Sequence, residues 1–454
     1  TIHLQQRPGT DVALVMGMIK VIVEAGLADM EFINSRCENF DAFVDSLAEF
    51  NLASVEKITG VPGELISKAA KIYASEGPSS ILYCMGITQH CHGTDNVWSL
   101  SNLALVTGNL GQASAGVNPL RGQNNVQGSC DMGALPDVYP GYQKVAKAES
   151  KEKFEAAWGV SLSDQEGLTH SEIFDDIHDG KITSLYLIGE NPYLSEANAN
   201  HAIESMNRLD FLVVQDIFLT ETAELADVVL PAASFAEKNG TFSNTERRIQ
   251  RVRKAVDAPG EAKPDWQIVA AIASKMGATG FAFENEAQIM EEIASVTPSY
   301  GGITHERLEG GGLQWPCPTQ DHLGTSTLHV EKFGTPSGKA QFMPLSFRDS
   351  AELPDDEYPF LLTTDRSLFH YHTGSMTRRV EGLEQLDSEE FLKINPKDAA
   401  SLGLEDNEVV QIASRRGQTQ AKTKVTKICP PGLVSMTFHF AESPTNVLTS
   451  PALD

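Results

Sequence analysis

Nowhere in these 454 residues do two cysteines stand as a C-x-x-C pair. The six that occur, Cys37, Cys84, Cys91, Cys130, Cys317 and Cys429, are scattered, which supports neither a zinc knuckle nor an iron–sulfur cluster among them and fits reduced thiols. No run approaches the roughly 18–20 apolar residues that a membrane span needs, so none is expected. Positive charge is scarce as well: 35 Lys and Arg stand against 61 Asp and Glu, a net charge of -26. That balance argues against nucleic acid as a partner and favours a soluble protein with a basic partner subunit. It also requires that any site for an anion be a locally basic pocket. There is no G-x-S-x-G, no Walker loop and no G-x-G-x-x-G after a strand, so hydrolase, P-loop and ordinary nicotinamide readings lack support. Before the first periodic segment there is no Met, basic n-region or apolar h-region, and the chain reads as a piece of something longer or a processed product. A cytoplasmic location is the expectation.

What is present is ordinary in bulk, 41% hydrophobic and 21% charged, and enough for two or three domains. Asp11 is a candidate N-cap after Pro8-Gly9-Thr10, opening an amphipathic helix that ends at Gly26. Pro62 opens a second helix running to Gly77. Ser80 to Cys84 reads as a buried strand followed by a helix from Gly93 to Gly108. The unit recurs in kind: strand Ile182–Ile188, helix Ser195–Arg208, strand Phe211–Gln215 and a short strand Val228–Leu230. Strands alternating with helices at this spacing predict doubly wound α/β domains, with ligands at the carboxyl ends of the strands. Residues 300 to 353, rich in Gly, Pro and Thr, predict a surface segment or linker. After Pro359 short β-like runs (360–364, 409–414, 418–425 and 433–438) predict a small carboxy-terminal β-barrel or sandwich, with Arg415-Arg416-Gly417 as a hairpin connection.

Four stretches could carry chemistry. The densest is Arg121-Gly-Gln-Asn-Asn-Val-Gln-Gly-Ser-Cys-Asp-Met-Gly133, with four amides and one guanidinium and almost nothing to bury. It reads either as a solvated glycine-rich turn or as a ligand wall in which Arg121 grips a planar anion. Met85 to His92 lies just past a strand end. His90 and His92 at alternate loop positions offer poor metal geometry, and Gln89 is the better partner for a heterocycle. Gln215 and Asp216 end another strand, where the carboxylate either caps or accepts from guanine or ribose donors. Thr363 to Met376 holds Thr364, Arg366, His370 and His372, a donor set suited to phosphate oxygens. The charged stretch from Glu237 to Arg253 mixes both signs and reads as a solvated or pyrophosphate-facing segment.

Six motifs taken together resemble one family. They are Met-Gly-Ile-Thr-Gln-His (85–90), Leu-Val-Thr-Gly-Asn-Leu-Gly (105–111), Asn-Pro-Leu-Arg-Gly-Gln-Asn-Asn-Val-Gln-Gly (118–128), Thr-Glu-Thr-Ala-Glu-Leu-Ala-Asp-Val-Val-Leu-Pro (220–231), Gly-Thr-Phe-Ser-Asn-Thr-Glu-Arg-Arg (240–248) and His-Tyr-His-Thr-Gly-Ser-Met (370–376). Over essentially the whole chain they resemble the catalytic subunit of molybdenum- or tungsten-dependent formate dehydrogenases, within the molybdopterin oxidoreductases. The resemblance implies Rossmann-like α/β domains of formate dehydrogenase/DMSO reductase type, followed by a β-barrel domain. Residues 1–135 would be the second part of the first cofactor-binding α/β domain, 136–355 the second with a linker, and 356–454 the dinucleotide-binding barrel.

The implied cofactor is bis-molybdopterin guanine dinucleotide with molybdenum or tungsten. By the resemblance, a [4Fe–4S] cluster and the Cys or selenocysteine metal ligand precede Thr1, so residues 1–454 alone would be inactive. Carried over by position, Gly9, Thr10 and Asp11 match a guanosine-binding turn, and Met85 and Gln89 match pterin dinucleotide contacts. Asn191, Gln215, Asp216, Lys238 and Asp265 match the other nucleotide pocket. Thr364, Arg366, His370, His372, Thr373, Phe438 and Asn446 match the capping contacts. Arg121 matches the arginine that orients formate, assisted by Gln123; no residue here is implied as a metal ligand. Iron–sulfur or NAD-reducing flavin subunits are the implied electron partners. Two other readings share the late motifs: a nitrate reductase-type molybdopterin enzyme, and a cofactor-free relay subunit like the large complex I protein. Retention of Arg121 with Gln123, Asn124 and Asn125 favours formate over nitrate, and retention of the anion and pyrophosphate ligands Arg121, Arg366, His370 and His372 argues against the cofactor-free subunit.

Overall fold

The computed structural model describes residues 1–452. The first core gathers around the helix Asp11–Glu24, which is buried on nearly every side. Helices Leu52–Thr59, Gly63–Ser75 and Gly93–Val106 pack on it. Close approach dictates residue type here: a Cβ on Gly17 would lie 2.9 Å from Val55 Cγ2, so the crossing needs glycine. Asn51 caps the helix Leu52–Thr59 by accepting from Ser54 N at 3.0 Å, and Gly60 ends it at φ 75. Asp11 is not the cap expected of it. Thr10 takes the N-cap position and turns its hydroxyl back to the Arg7 carbonyl (2.7 Å), while Asp11, the first helical residue, accepts from Gln6 Nε2 at 2.8 Å.

Parallel strands form the α/β frame. Ser80–Tyr83 pairs with Gly116–Pro119, and Ser184–Ile188, Phe211–Asp216 and Val228–Pro231 lie side by side in that order. The first of these strands is less buried than its apolar run suggested. Leu82 is 65% exposed, and the burial of the strand alternates, with Ile81 and Tyr83 packed against the first core. The expected helix 195–208 divides into Pro192–Ser195 and Ala199–Met206, since Asn198 adopts φ 53 between them. In the first sheet the Cys84–Met85 and Leu120–Arg121 turns leave the carboxyl ends of the strands together, and in the second Asp216 ends its strand at the corresponding edge.

The segment 300–353 corrects the expectation of a surface winder. It has little regular structure, yet Tyr300, Ile303, Leu308 and Cys317 complete a core with Ile249 and Met290. Further on, Phe333, Ala340, Phe342 and Leu345 complete the first core, and Ala340–Gln341 pairs in parallel with Cys37–Glu38. The strap is therefore a structural member, held by single apolar residues at irregular spacing. Beyond it, five strands form a mixed sheet in the order Leu361–Thr364, Leu433–Met436, Phe391–Ile394, Gln418–Val425, Val409–Ala413. The Arg415–Gly417 hairpin joins the last two, with Ser414 N donating to Gly417 O. Among the described residues, no helix is long and apolar enough to cross a membrane.

Candidate functional site

The parallel pairing of Tyr83 with Pro119 brings two strand ends together, and Leu120 N donates to Tyr83 O at 2.7 Å. Arg121 therefore emerges beside Cys84 and Met85. Its amide donates to Thr245 Oγ1 (3.0 Å), whereas its guanidinium has no hydrogen bond or ion pair among the described residues. Burial pushes the Tyr83 phenol up while the Arg121 charge pulls it down, which places that charge near the ring. Gln123 is exposed on the same loop. A Cβ on Gly122 would lie 3.9 Å from the Tyr371 hydroxyl, so the 363–376 segment faces this loop.

Arg366 comes from that segment. Its guanidinium sits 4.6 Å from the Phe438 ring centroid and donates to Met85 Sδ at 3.2 Å, and no carboxylate pairs with it among the described residues. Arg121 and Arg366 are thus two cations with no carboxylate partner among the described residues of a strongly acidic protein. A cleft of about 960 Å³ opens among the first α/β unit, residues 195–197, the strap and the carboxy-terminal sheet; Met85, which Arg366 touches, lines it, whereas neither arginine does. Of the residues carried over by position, Gly9, Met85, Gln89, Thr364, His372, Phe438 and Asn446 line it together. Thr10 and Asp11 lie buried immediately behind Gly9, whose carbonyl faces His92 Nε2 at 3.1 Å. His92 Nδ1 meets Cys91 Sγ at 3.5 Å, and His90 Nε2 meets Gly86 O at 3.0 Å, so both rings are engaged internally.

A second group gathers at the end of the Phe211–Asp216 strand. Gln215 is fully buried, its amide shared between Tyr186 Oη and Asp265 Oδ1, and Asp265 also pairs with Lys238. Gln215 therefore orders Asp265 and does not itself face outward. Asp216 accepts from Ile217 N (2.7 Å) and Phe218 N (3.3 Å) through one oxygen, and burial raises its carboxyl above the usual range. Its second oxygen takes no donor from the described residues, which suits an N–H or O–H group supplied by a ligand. Asn191 bridges this group to the capping segment, contacting Thr222, Glu221 and Ser375. Thr373 joins it through Ser375 Oγ at 2.9 Å. His370 is the exception among the capping residues. It is 4% exposed, bonded to the Asp387 carbonyl, and turned into the protein rather than toward the cleft.

The backbone at His372 is held at φ 52 by a residue that sequence reasoning missed. His439, fully buried, donates from Nδ1 to the His372 carbonyl and accepts at Nε2 from Ser367 N at 3.4 Å. One nitrogen must donate and the other accept, so the clip needs the neutral ring. Burial lowers the His439 pKa to about 4, with the carbonyl bond and Asp387 opposing, and His370 and Arg366 reinforcing. Because the folded value lies below the ordinary 6.5, this contribution is fully present above pH 6.5 and is lost as pH falls toward 4. The loss amounts to about 3 kcal/mol. Urea unfolding at a series of pH values should show a steeper decline over that window than in His439→Gln; equal slopes would contradict it.

Also unforeseen are Glu352, Arg415 and Arg416, which line the cleft, with Arg416 NH1 bonded to Glu352 Oε2 at 2.7 Å. The paired arginines carried only a turn signal in the sequence. A cleft wall assembled from the strap and a hairpin has no local signature.

Comparison with known proteins adds an independent line. The molybdopterin oxidoreductase family matches residues 1–275, and the molybdopterin dinucleotide binding domain matches residues 360–454. The F420-dependent formate dehydrogenase subunit alpha of Methanocaldococcus jannaschii is 51% identical over 455 residues, covering 100% of this chain and 67% of that protein. Formate dehydrogenase H of Escherichia coli is 41% identical over 443 residues, covering 96% of this chain and 62% of that protein. Acetylene hydratase from Pelobacter acetylenicus superposes with a TM-score of 0.76 at 21% identity, covering 99% of this chain and 67% of the other, a likeness of fold.

Proposed function

The chain belongs to the molybdopterin oxidoreductase family, and from that premise we propose that it is part of the catalytic subunit of a formate dehydrogenase. The reaction is the oxidation of formate to carbon dioxide, releasing two electrons and one proton. The observation that carries this reading is the unpaired Arg121 guanidinium at a strand end beside the cleft.

The donor chemistry suits a bis-molybdopterin guanine dinucleotide carrying molybdenum or tungsten. Gln89, Thr364, His372 and Asn446 offer hydrogen bonds in the cleft, Arg366 offers charge for a pyrophosphate, and the spare oxygen of Asp216 accepts from a guanine edge. Lys238 and Asp265 would flank the second nucleotide. When bound, this group supplies the metal centre that takes the electrons and hydrogen of formate.

The chain's own residues bind and orient. The Arg121 fork neutralises the formate carboxylate and holds it in a plane, which fixes the direction of the C–H bond. Gln123 can donate to the same oxygens. Carbon dioxide, having no charge, loses that attraction and departs. A [4Fe–4S] cluster, which none of the described residues is placed to hold, would carry the electrons onward to iron–sulfur or flavin subunits in the cytoplasm.

The test is formate-dependent reduction of a viologen dye by the full-length, cofactor-loaded protein, beside an assay of nitrate reduction by the reduced dye. Turnover of formate is expected. A protein that reduces nitrate and leaves formate untouched would overturn the reading.

A further inference from the structure

The stretch 240–248 contributes nothing to the cleft, yet the structure folds it against the Arg121 loop. Thr245 Oγ1 accepts from Arg121 N at 3.0 Å, and Ser243 N donates to Asn125 Oδ1 at 2.9 Å. Asn125 sits at φ 63 with its amide oxygen folded over Gly128, where a Cβ would come within 2.1 Å of it. From this turn the helix Val126–Asp131 runs inward to a carboxylate that is 1% exposed.

Burying a carboxylate is costly unless donors surround it. Asp131 Oδ1 accepts from Gln127 Nε2 and Tyr142 Oη, each at 2.8 Å, and Oδ2 accepts from Tyr300 Oη at 2.6 Å. Tyr300 Oη lies 3.0 Å from Ser243 Oγ, which closes a ring from Asp131 through Tyr300 and Ser243 to Asn125 and back along the helix. Burial, then Asp131, pushes both phenols well above the ordinary tyrosine range, so they remain donors. The Arg121 charge acts on Tyr142 in the opposite sense, which sets the guanidinium near this network. None of these groups lines the cleft.

We propose that Asp131, through Tyr142, Tyr300, Ser243 and Asn125, positions the Arg121 loop for the substrate carboxylate, with Thr245 fixing the loop's register. The proposal rests on the reading of Arg121 as formate's partner. These are positioning residues, touching neither substrate nor cofactor. They matter because residues 120 to 124 are otherwise exposed, and an arginine on a loose loop would surrender to ordering much of what its contacts with the anion contribute.

The test uses the full-length, cofactor-loaded enzyme with Thr245→Val, Thr245→Ser and Asp131→Asn. Thr245→Val should raise the KM for formate, and the inhibition constant of nitrite (a bent monoanion of similar shape), by about tenfold with kcat within about threefold. Thr245→Ser should restore both, and Asp131→Asn should move them further in the same direction. Unchanged KM and inhibition constant in Thr245→Val, or a fall in kcat alone, would refute positioning. Should Asp131→Asn fail to fold, the Thr245 pair decides. If Arg121→Ala also leaves formate turnover intact, the site itself is misread. If Arg121→Ala abolishes turnover while the Thr245 and Asp131 variants keep the wild-type KM, only the positioning role is lost.

Discussion

Replacing Arg121 by alanine in the full-length enzyme should lower kcat/KM for formate by about a thousandfold or more, with the pterin content unchanged. The size follows from the guanidinium's freedom. It has no partner among the described residues, so its removal breaks no internal ion pair and costs the fold little. The whole loss falls on the substrate, which forfeits a charge-assisted, two-pronged contact in a protein whose net charge of -26 otherwise repels it. Arg121→Lys, keeping a point charge without the fork, should fall between the two. Steady-state kinetics with cofactor absorbance as the control measures this. Near-wild-type turnover in Arg121→Ala would remove the basis for the proposed activity.

The second large effect is on stability. Phe342→Ala should destabilise the first core by about 3–5 kcal/mol. Phe342 is fully buried, with its ring 4.8 Å from Phe43 and 5.2 Å from Phe40, and its carbonyl accepts from Asn39 Nδ2 at 2.9 Å. Truncation leaves a cavity beside two aromatic rings that are already packed against the lost one. Leu323, on the same strap but 90% exposed, is the control, and Leu323→Ala should stay within about 0.5 kcal/mol. Urea midpoints of the two variants give the answer; similar midpoints would mean that the strap is a passive linker after all.

That strap marks where the sequence stopped being legible. Elements with a period or a punctuating residue, such as Gly93–Val106, Phe211–Asp216 and the Arg415–Gly417 hairpin, could be read because their signals are local. Phe391–Ile394 was missed: four residues between Glu389-Glu390 and Asn395-Pro396 give no alternation long enough to read, and the strand owes its place to neighbours on both sides. At the site, Arg121 and Arg366 stood out as cations set among donors. His439 and Asp131 did not, for their roles consist of contacts with residues 67 and 169 positions away. Family resemblance supplied a cofactor role for His370, and the structure turns that ring inward, which pattern alone could not foretell.

The pairing of Cys37–Glu38 with Ala340–Gln341, and the bond from Asn39 to Phe342 across 303 positions, fix an order of events during synthesis. The helices of the first core leave the ribosome early, yet their last buried aromatic arrives some three hundred residues later. At about 5–20 residues per second, that interval is about 15–60 seconds. Throughout it Phe40 and Phe43 lack their final partner, and the nascent chain presents an open apolar seam where a chaperone could be held until the strap closes it.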